Sequence, residues 1–213
     1  MLQQTQVSRV LLKYNDFLKK FPSAKTLAKA STADVLKIWK GMGYNRRALY
    51  LKKAAAVGVF PESEKELTKI PGVGTYTARA ILVFAYRKNV AMVDTNIRQI
   101  ITHHFFNDVP QKEIVIQNVA DQLVPKGKSW EWHQALMDYG AIALPRNNRP
   151  ERSRRTSPFK NSNRYFRGRL MDVLRAGPKR KRILLKSFSQ QIIEGLEKDG
   201  LIKITGENVQ LPD

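Results

Sequence analysis

The chain has 213 residues, 42% of them hydrophobic, no cysteine, and 38 Lys plus Arg against 18 Asp plus Glu, for a formal net charge of +20. That length suits one good core, or a core with a small appendage, and without cysteine there is no disulfide, thiolate metal site or thiol nucleophile. No apolar run nears the roughly 18 residues of a membrane span, the start Met1-Leu-Gln-Gln-Thr-Gln lacks the basic and apolar regions of a signal peptide, and a charge of this size attracts polyanions, nucleic acid foremost.

From Gln6 to about Ile142 the pattern is helical, with no convincing β alternation. Val7, Val10, Leu11, Tyr14 and Leu18 recur at three- and four-residue spacing, which predicts a helix with one buried face. Phe21-Pro22-Ser23 ends it, short helices follow at 26–30 and 32–39, and Gly41-Met42-Gly43 is a turn. Further helices are expected at 46–58, 63–69, 75–87 and 95–105, with a tight turn at Gly72-Val73-Gly74. Beyond Pro145 the composition changes: residues 146–186 carry 15 Lys or Arg against Glu151 and Asp172 alone. Residues 146–163, rich in Pro, Asn, Ser and Arg, read as a basic linker or loop. Helices at 165–174, 182–185 and 188–199 then precede an alternating 201–211 stretch around Gly206-Glu207-Asn208, the order of a winged helix–turn–helix.

Two motifs carry chemistry. In Leu67-Thr68-Lys69-Ile70-Pro71-Gly72-Val73-Gly74-Thr75, Pro71 stops one helix, and Gly72 and Gly74 are expected to supply left-handed backbone. Small residues let N–H groups approach a phosphate, and the next helix points its positive end there, so Gly72, Val73, Gly74 and Thr75 form a sequence-blind anion grip. In Val93-Asp94-Thr95-Asn96, Asp94 follows an apolar run and precedes a helix. Taken alone it reads as an N-cap; its place about twenty residues after the hairpin makes it a catalytic candidate. The histidines, His103, His104 and His133, are scattered, and adjacent helical positions diverge by about 100°, so no metal site is predicted. Trp130 and Trp132 read as packing.

Together with Met1-Leu-Gln-Gln-Thr-Gln-Val, Trp39-Lys-Gly-Met-Gly-Tyr44 and Ala135-Leu-Met-Asp-Tyr-Gly-Ala141, these motifs resemble the MutY-type adenine DNA glycosylases of the helix–hairpin–helix (HhH-GPD) superfamily, in family order over about residues 1–142. The resemblance implies a mainly α fold, a six-helix-barrel type of core, here followed by a small winged-helix-like α/β tail. The expected organisation is a helical core at 1–107, a second helical subdomain at 108–145, a basic linker at 146–163 and the winged-helix-like domain at 164–213. Asp94 matches the aspartate that stabilises oxocarbenium-like charge on the sugar, and Asn96 a residue that supports it. Tyr76 stands where bifunctional relatives carry a lysine, and a phenol forms no Schiff base, so the enzyme is expected to be monofunctional. Gln4 and Tyr44 match residues that wedge into the base stack beside a flipped base, with Arg47 as a further DNA contact. Tyr44 reads equally as a turn aromatic packed on the core.

Two departures stand out. The family's adenine-protonating glutamate lies two residues ahead of Met1, so the chain is read as a late start, with an impaired relative as the alternative. The cysteine positions of the family's [4Fe–4S] cluster hold Leu144, Glu151, Arg154 and Lys160, which cannot ligate iron as thiolates. No cofactor is expected apart from a monovalent cation at the hairpin. The implied function is base-excision repair: hydrolysis of the N-glycosidic bond of adenine opposite 8-oxoguanine or guanine. Alternatives are a thymine or uracil mismatch glycosylase and a non-catalytic DNA-binding protein. The expected setting is a monomer on double-stranded DNA in a prokaryotic, nucleoid-associated cytoplasm, away from membranes.

Overall fold

The computed structural model describes residues 1–2, 5–143 and 159–213. The chain divides into two compact units, one built from residues 1–58 and 155–213, the other from 59–154. Helices dominate both, and the only sheet among the described residues belongs to the C-terminal part of the first.

In the first unit, α1 (Val7–Lys20), α2 (Ala24–Lys29), α3 (Thr32–Ile38) and α4 (Arg46–Ala55) come from the N-terminal stretch. Side-chain caps set two of the starts: Ser23 accepts the Thr26 N–H in a reciprocal capping box, and Ser31 accepts that of Asp34. One expectation fails in α1. Val10 and Phe17 are buried, whereas Val7, Leu11, Tyr14 and Leu18 are exposed. The apolar periodicity spans more than one face of α1, and the core takes the face shared by Val10 and Phe17, seven residues apart.

The C-terminal part contributes α10 (Asn163–Arg175), β1 (Lys179–Arg180), α11 (Lys181–Leu184), α12 (Gln190–Lys198), β2 (Lys203–Thr205) and β3 (Asn208–Gln210). The strands form an antiparallel sheet in the order β1-β3-β2, with β2 and β3 joined through Gly206-Glu207. This is the winged-helix order, with one strand, β1, that the sequence pattern did not suggest. With only two residues, both exposed, β1 has no alternation to detect.

One hydrophobic core joins these elements to the N-terminal helices. Trp39, Leu36 and Phe17 share it with Leu170, Met171, Ile193, Leu196 and Val209. Burying a side chain of this size is worth about 1.5–3 kcal/mol, so the tail adds much of this unit's stability. Polar ties reinforce it. Arg175 on α10 donates to the Leu36 carbonyl (2.9 Å) and to Asn45 Oδ1 (2.8 Å), and the Ala33 N–H donates to the Pro212 carbonyl (2.8 Å).

The second unit holds α5 (Glu64–Leu67), α6 (Thr75–Phe84), α7 (Thr95–Phe106), α8 (Glu113–Leu123) and α9 (Ser129–Ile142). Val83, Ala91, Met92, Ile97, Ile101, Ile116 and Ala120 make its core. Helix α6 stops at Phe84, short of the expected residue 87, and Arg87 takes a left-handed φ of +54° that the helix cannot continue through. Asn107, likewise left-handed, caps α7.

Candidate functional site

The hairpin lies between α5 and α6. Its Val73 N–H donates to the Ile70 carbonyl at 3.0 Å, closing a turn with Pro71 and Gly72 as central residues. Gly72 has φ +82°, the value a type II turn demands at its third position, so a side chain here is strained. Gly74 departs from expectation: φ is −92° and ψ 177°, extended backbone open to any residue, and a Cβ on it would meet nothing within 4 Å. Fold geometry therefore explains Gly72 but not Gly74. Leu67 and Ile70 are buried and hold the hairpin down, while Gly72, Gly74 and Thr75 are exposed at the start of α6. No acid of α6 itself occupies its first turn, so no side chain of the helix offsets its positive end there.

Asp94 is held by a laced segment. The Ser129 hydroxyl donates to the Val90 carbonyl (2.7 Å), Arg79 of α6 and Gln117 of α8 donate to that of Ala91 (2.9 and 3.3 Å), and the Met92 N–H donates to His133 Nε2 (2.7 Å). Three helices thus satisfy the backbone of residues 90–92, as burial requires. The chain then turns into α7, where Asp94 Oδ1 accepts the Ile97 N–H at 2.7 Å. The capping and catalytic readings of Asp94 are compatible: the cap fixes the carboxylate at a helix N-terminus, where negative charge is favoured.

Tyr76 and Asp94 are brought within electrostatic reach of each other. Burial, and then the Asp94 charge, push the Tyr76 phenol above its ordinary value of 10.0, so it is protonated at neutral pH. Asn96 sits in the first turn of α7, and among the described residues no hydrogen bond links it to Asp94. It packs closely against Gly140 of α9: a Cβ at Gly140 would lie 2.9 Å from Asn96 Cβ and 3.2 Å from Ile100 Cδ1. The sequence reading also passed over His133, which is fully buried on α9 and anchors the Asp94 segment. A signal existed: Ser129 opens that helix one turn earlier on the same face.

In the first unit, Tyr44 takes a left-handed φ of +44° after Gly43, at +69°, and its exposed ring meets the guanidinium of Arg47 at 5.6 Å and of Arg164 at 4.3 Å. Arg47, expected to contact DNA, points its guanidinium inward: it donates to Thr5 Oγ1 (2.6 Å) and, at 3.3 Å, to the carbonyls of Met1 and Met42. Burial lowers its pKa. Gln4, Leu144, Glu151 and Arg154 lie outside the described residues; Lys160 is exposed just ahead of α10. Among the described residues no group of three or more His, Cys, Asp or Glu is poised to hold a metal ion. With no cysteine in the sequence, the residues do not fit an iron–sulfur cluster.

A hairpin between two helices, followed by a capped aspartate at the start of the next helix, defines a helix–hairpin–helix protein. Residues 1–126 match the family described as HhH-GPD superfamily base excision DNA repair protein. An adenine DNA glycosylase of Mycobacterium tuberculosis (strain ATCC 25618 / H37Rv) is 35% identical over 208 residues, covering 83% of this chain and 68% of that protein. A thymine/uracil-DNA glycosylase of Methanothermobacter thermautotrophicus is 31% identical over 163 residues, 71% of this chain and 74% of that one. A solved thermostable thymine-DNA glycosylase superposes with a TM-score of 0.62 at 31% identity, over 68% of this chain and 72% of that chain. The chain belongs to the HhH-GPD superfamily of base excision DNA repair proteins.

Proposed function

We propose that this protein is a monofunctional DNA glycosylase that hydrolyses the N-glycosidic bond of an extrahelical adenine mispaired with 8-oxoguanine or guanine. The observation that carries the reading is the pairing of a capped Asp94 carboxylate with the Tyr76 phenol in one electrostatic neighbourhood. As the base departs, positive charge grows on the sugar, and a fixed carboxylate stabilises it. As the C–N bond to the base breaks, water forms the new C–O bond and the proton it loses balances the one the departing base gains; the phenol at Tyr76 offers no amine for a covalent intermediate. Likeness to adenine glycosylases over most of the chain favours adenine as the base. The thymine/uracil relative and the thymine-DNA glycosylase structure keep a thymine-directed reading in view.

On this reading the exposed hairpin holds a backbone phosphate of double-stranded DNA, with a monovalent cation at its carbonyls as the family resemblance carries. The net charge of +20 supports a polyanionic substrate, and no helix among the described residues is long and apolar enough to cross a membrane. The protein then works as a monomer at the nucleoid of a prokaryotic cell. The test is single-turnover release of free base from adenine:8-oxoguanine, adenine:guanine and thymine:guanine duplexes. It uses the 213-residue chain, the same chain with Glu-Val placed ahead of Met1, and the Asp94→Asn variant of each. Adenine release that depends on Asp94, without strand scission, is expected. Adenine release that survives Asp94→Asn overturns the mechanism, and preferential release of thymine overturns the choice of base.

A further inference from the structure

Beside Tyr44, within the first unit, runs a groove of about 820 Å³, in the range of sites that enclose small ligands. One wall is the turn at residues 41–45 with the start of α4; the other comprises Phe159 and the N-terminal half of α10. Arg164 reaches across it. Its guanidinium lies 4.3 Å from the centre of the Tyr44 ring and 5.9 Å from that of Phe159. Both rings are open to solvent, Tyr44 by 44% and Phe159 by 62%. Gly41, Gly43 and Gly168 line the groove, and a Cβ on any of them would meet nothing within 4 Å, so its floor is open to close approach.

The arginines at this groove are not equivalent. Arg167 pairs with Asp199, and Arg46 lies 3.5 Å from the same carboxylate. Among the described residues Arg9 and Arg164, which both line the groove, form no ion pair with a carboxylate, unlike Arg46 and Arg167. An unpaired guanidinium between two exposed aromatic rings is the composition of a single-strand site: rings to stack bases, cations to track phosphates. A paired base shows its faces only to its stacking neighbours, so a ring can take one only when the nucleotide is unstacked.

The winged-helix-like tail carries its charge unevenly. In helix–turn–helix proteins the second helix of the motif usually enters the groove of DNA. Here that helix is α12, whose exposed positions include Glu194 and Glu197, with Gln190 hydrogen-bonded to Glu194 at 2.6 Å. Those carboxylates repel phosphate beside the one exposed lysine of α12, Lys198, while on α10 the exposed basic residues are Arg164, which lines the groove, and Arg169, which does not.

We propose that this groove binds an unpaired nucleotide of a DNA strand, its base entering between Tyr44 and Phe159 while Arg164 swings from the rings to the phosphate and Arg9 holds the neighbouring one. The proposal rests on the DNA reading above and adds a second, single-strand contact built jointly by the N-terminal turn and the C-terminal tail. Arg164 acts as the placeholder that keeps the two rings apart when no base is present.

The test uses the full chain carrying Asp94→Asn, so that no excision is read. Fluorescence anisotropy measures affinity for a labelled oligothymidylate single strand and for a fully paired duplex, at several salt concentrations. In this background Tyr44→Leu and Phe159→Ala are expected to lower the ratio of single-strand to duplex affinity by about tenfold each, the effect of losing one base–aromatic stack. Arg164→Ala should lower the same ratio and flatten the single-strand salt slope by about one unit, which Arg164→Lys restores. All these side chains are exposed, so melting temperatures should stay within about 2 °C of the parent. A ratio unchanged in all three variants, or an equal loss on both ligands, overturns the groove. Binding to neither ligand overturns the DNA reading itself, whereas a protein that releases no adenine yet shows the shifted ratios keeps the groove and loses the glycosylase assignment.

Discussion

His133 accepts the backbone N–H of Met92 at Nε2, 2.7 Å away, and its Nδ1 donates to the Ser129 carbonyl one turn back in α9. An amide N–H can only donate, so Nε2 must be unprotonated, and the geometry fixes one neutral tautomer. Through this one ring α9 is tied to the segment that delivers Asp94. His133→Ala leaves the Met92 N–H without its acceptor and opens a cavity, a loss of about 2–4 kcal/mol. His133→Asn keeps an acceptor and should lose less. Urea unfolding of both variants checks this; equal stability of His133→Ala and the parent would show that the tie carries nothing.

The same bond sets a pH dependence. Burial holds the His133 imidazole below its ordinary value of 6.5, so the unfolded chain binds a proton that the folded protein resists. The stabilisation is therefore full above 6.5 and is lost as pH falls through the folded value. Protonation also sets an N–H against the Met92 N–H and releases the Asp94 segment. Urea midpoints at mildly acidic and neutral pH should separate in the parent and converge in His133→Asn. An identical acid slope in both proteins would assign the dependence to other groups.

Tyr76 and Asp94 predict a gain of chemistry. The Asp94 charge reaches Tyr76, and under the proposed mechanism Asp94 faces the reacting sugar, so an amine at position 76 is expected to reach the same sugar carbon. Tyr76→Lys should yield a borohydride-trappable covalent complex with substrate DNA, where the parent yields none. Its absence from Tyr76→Lys, in a variant shown to bind DNA, would mean that position 76 does not face the reacting carbon.

Helix α9 approaches α7 closely because Gly140 has no side chain. Alanine is the better helix former by about 1 kcal/mol, yet its Cβ would lie 2.9 Å from Asn96 Cβ on the first turn after Asp94. Ile100 Cδ1, the end of a flexible side chain, can rotate aside, but Asn96 Cβ, with Asn96 Cα 3.5 Å away behind it, cannot give without moving α7. Gly140→Ala should therefore destabilise the protein by about 1–3 kcal/mol and slow base release by displacing the capped carboxylate. A more stable variant would mean that the helices separate freely.

The helix-forming segments, the hairpin and Asp94 were legible because local chemistry writes them: caps, periodicity, and a Pro-Gly turn. What stayed hidden depends on tertiary choice. Periodicity cannot tell which face of α1 the core takes, so Val7, Leu11, Tyr14 and Leu18 read as buried and are exposed. Ser129, one turn back, marks the face of α9 that His133 shares, but nothing local shows that the ring's acceptor serves Met92, 41 residues away. Nor does a basic tail reveal that Arg164 will lie on Tyr44, since that pairing exists only once Leu170 and Met171 join the core of Trp39.

Gly72 and Gly74 looked alike in the sequence, and the structure separates them into a residue the fold needs and one it does not. Gly72 has φ +82°, so Gly72→Ala forces a left-handed alanine at about 1–2 kcal/mol and should lower stability whether or not DNA is present. Gly74 is extended and its missing Cβ faces open space, so Gly74→Ala should leave the urea midpoint unchanged or slightly raised. If the hairpin grips phosphate through its backbone, that added methyl stands where the strand must approach, and duplex affinity should fall with little change in fold. Unfolding and duplex-binding measurements on the pair give a double dissociation. Gly74→Ala binding duplex as the parent does would mean that the phosphate approaches elsewhere, and that the positive end of α6 is not the anchor.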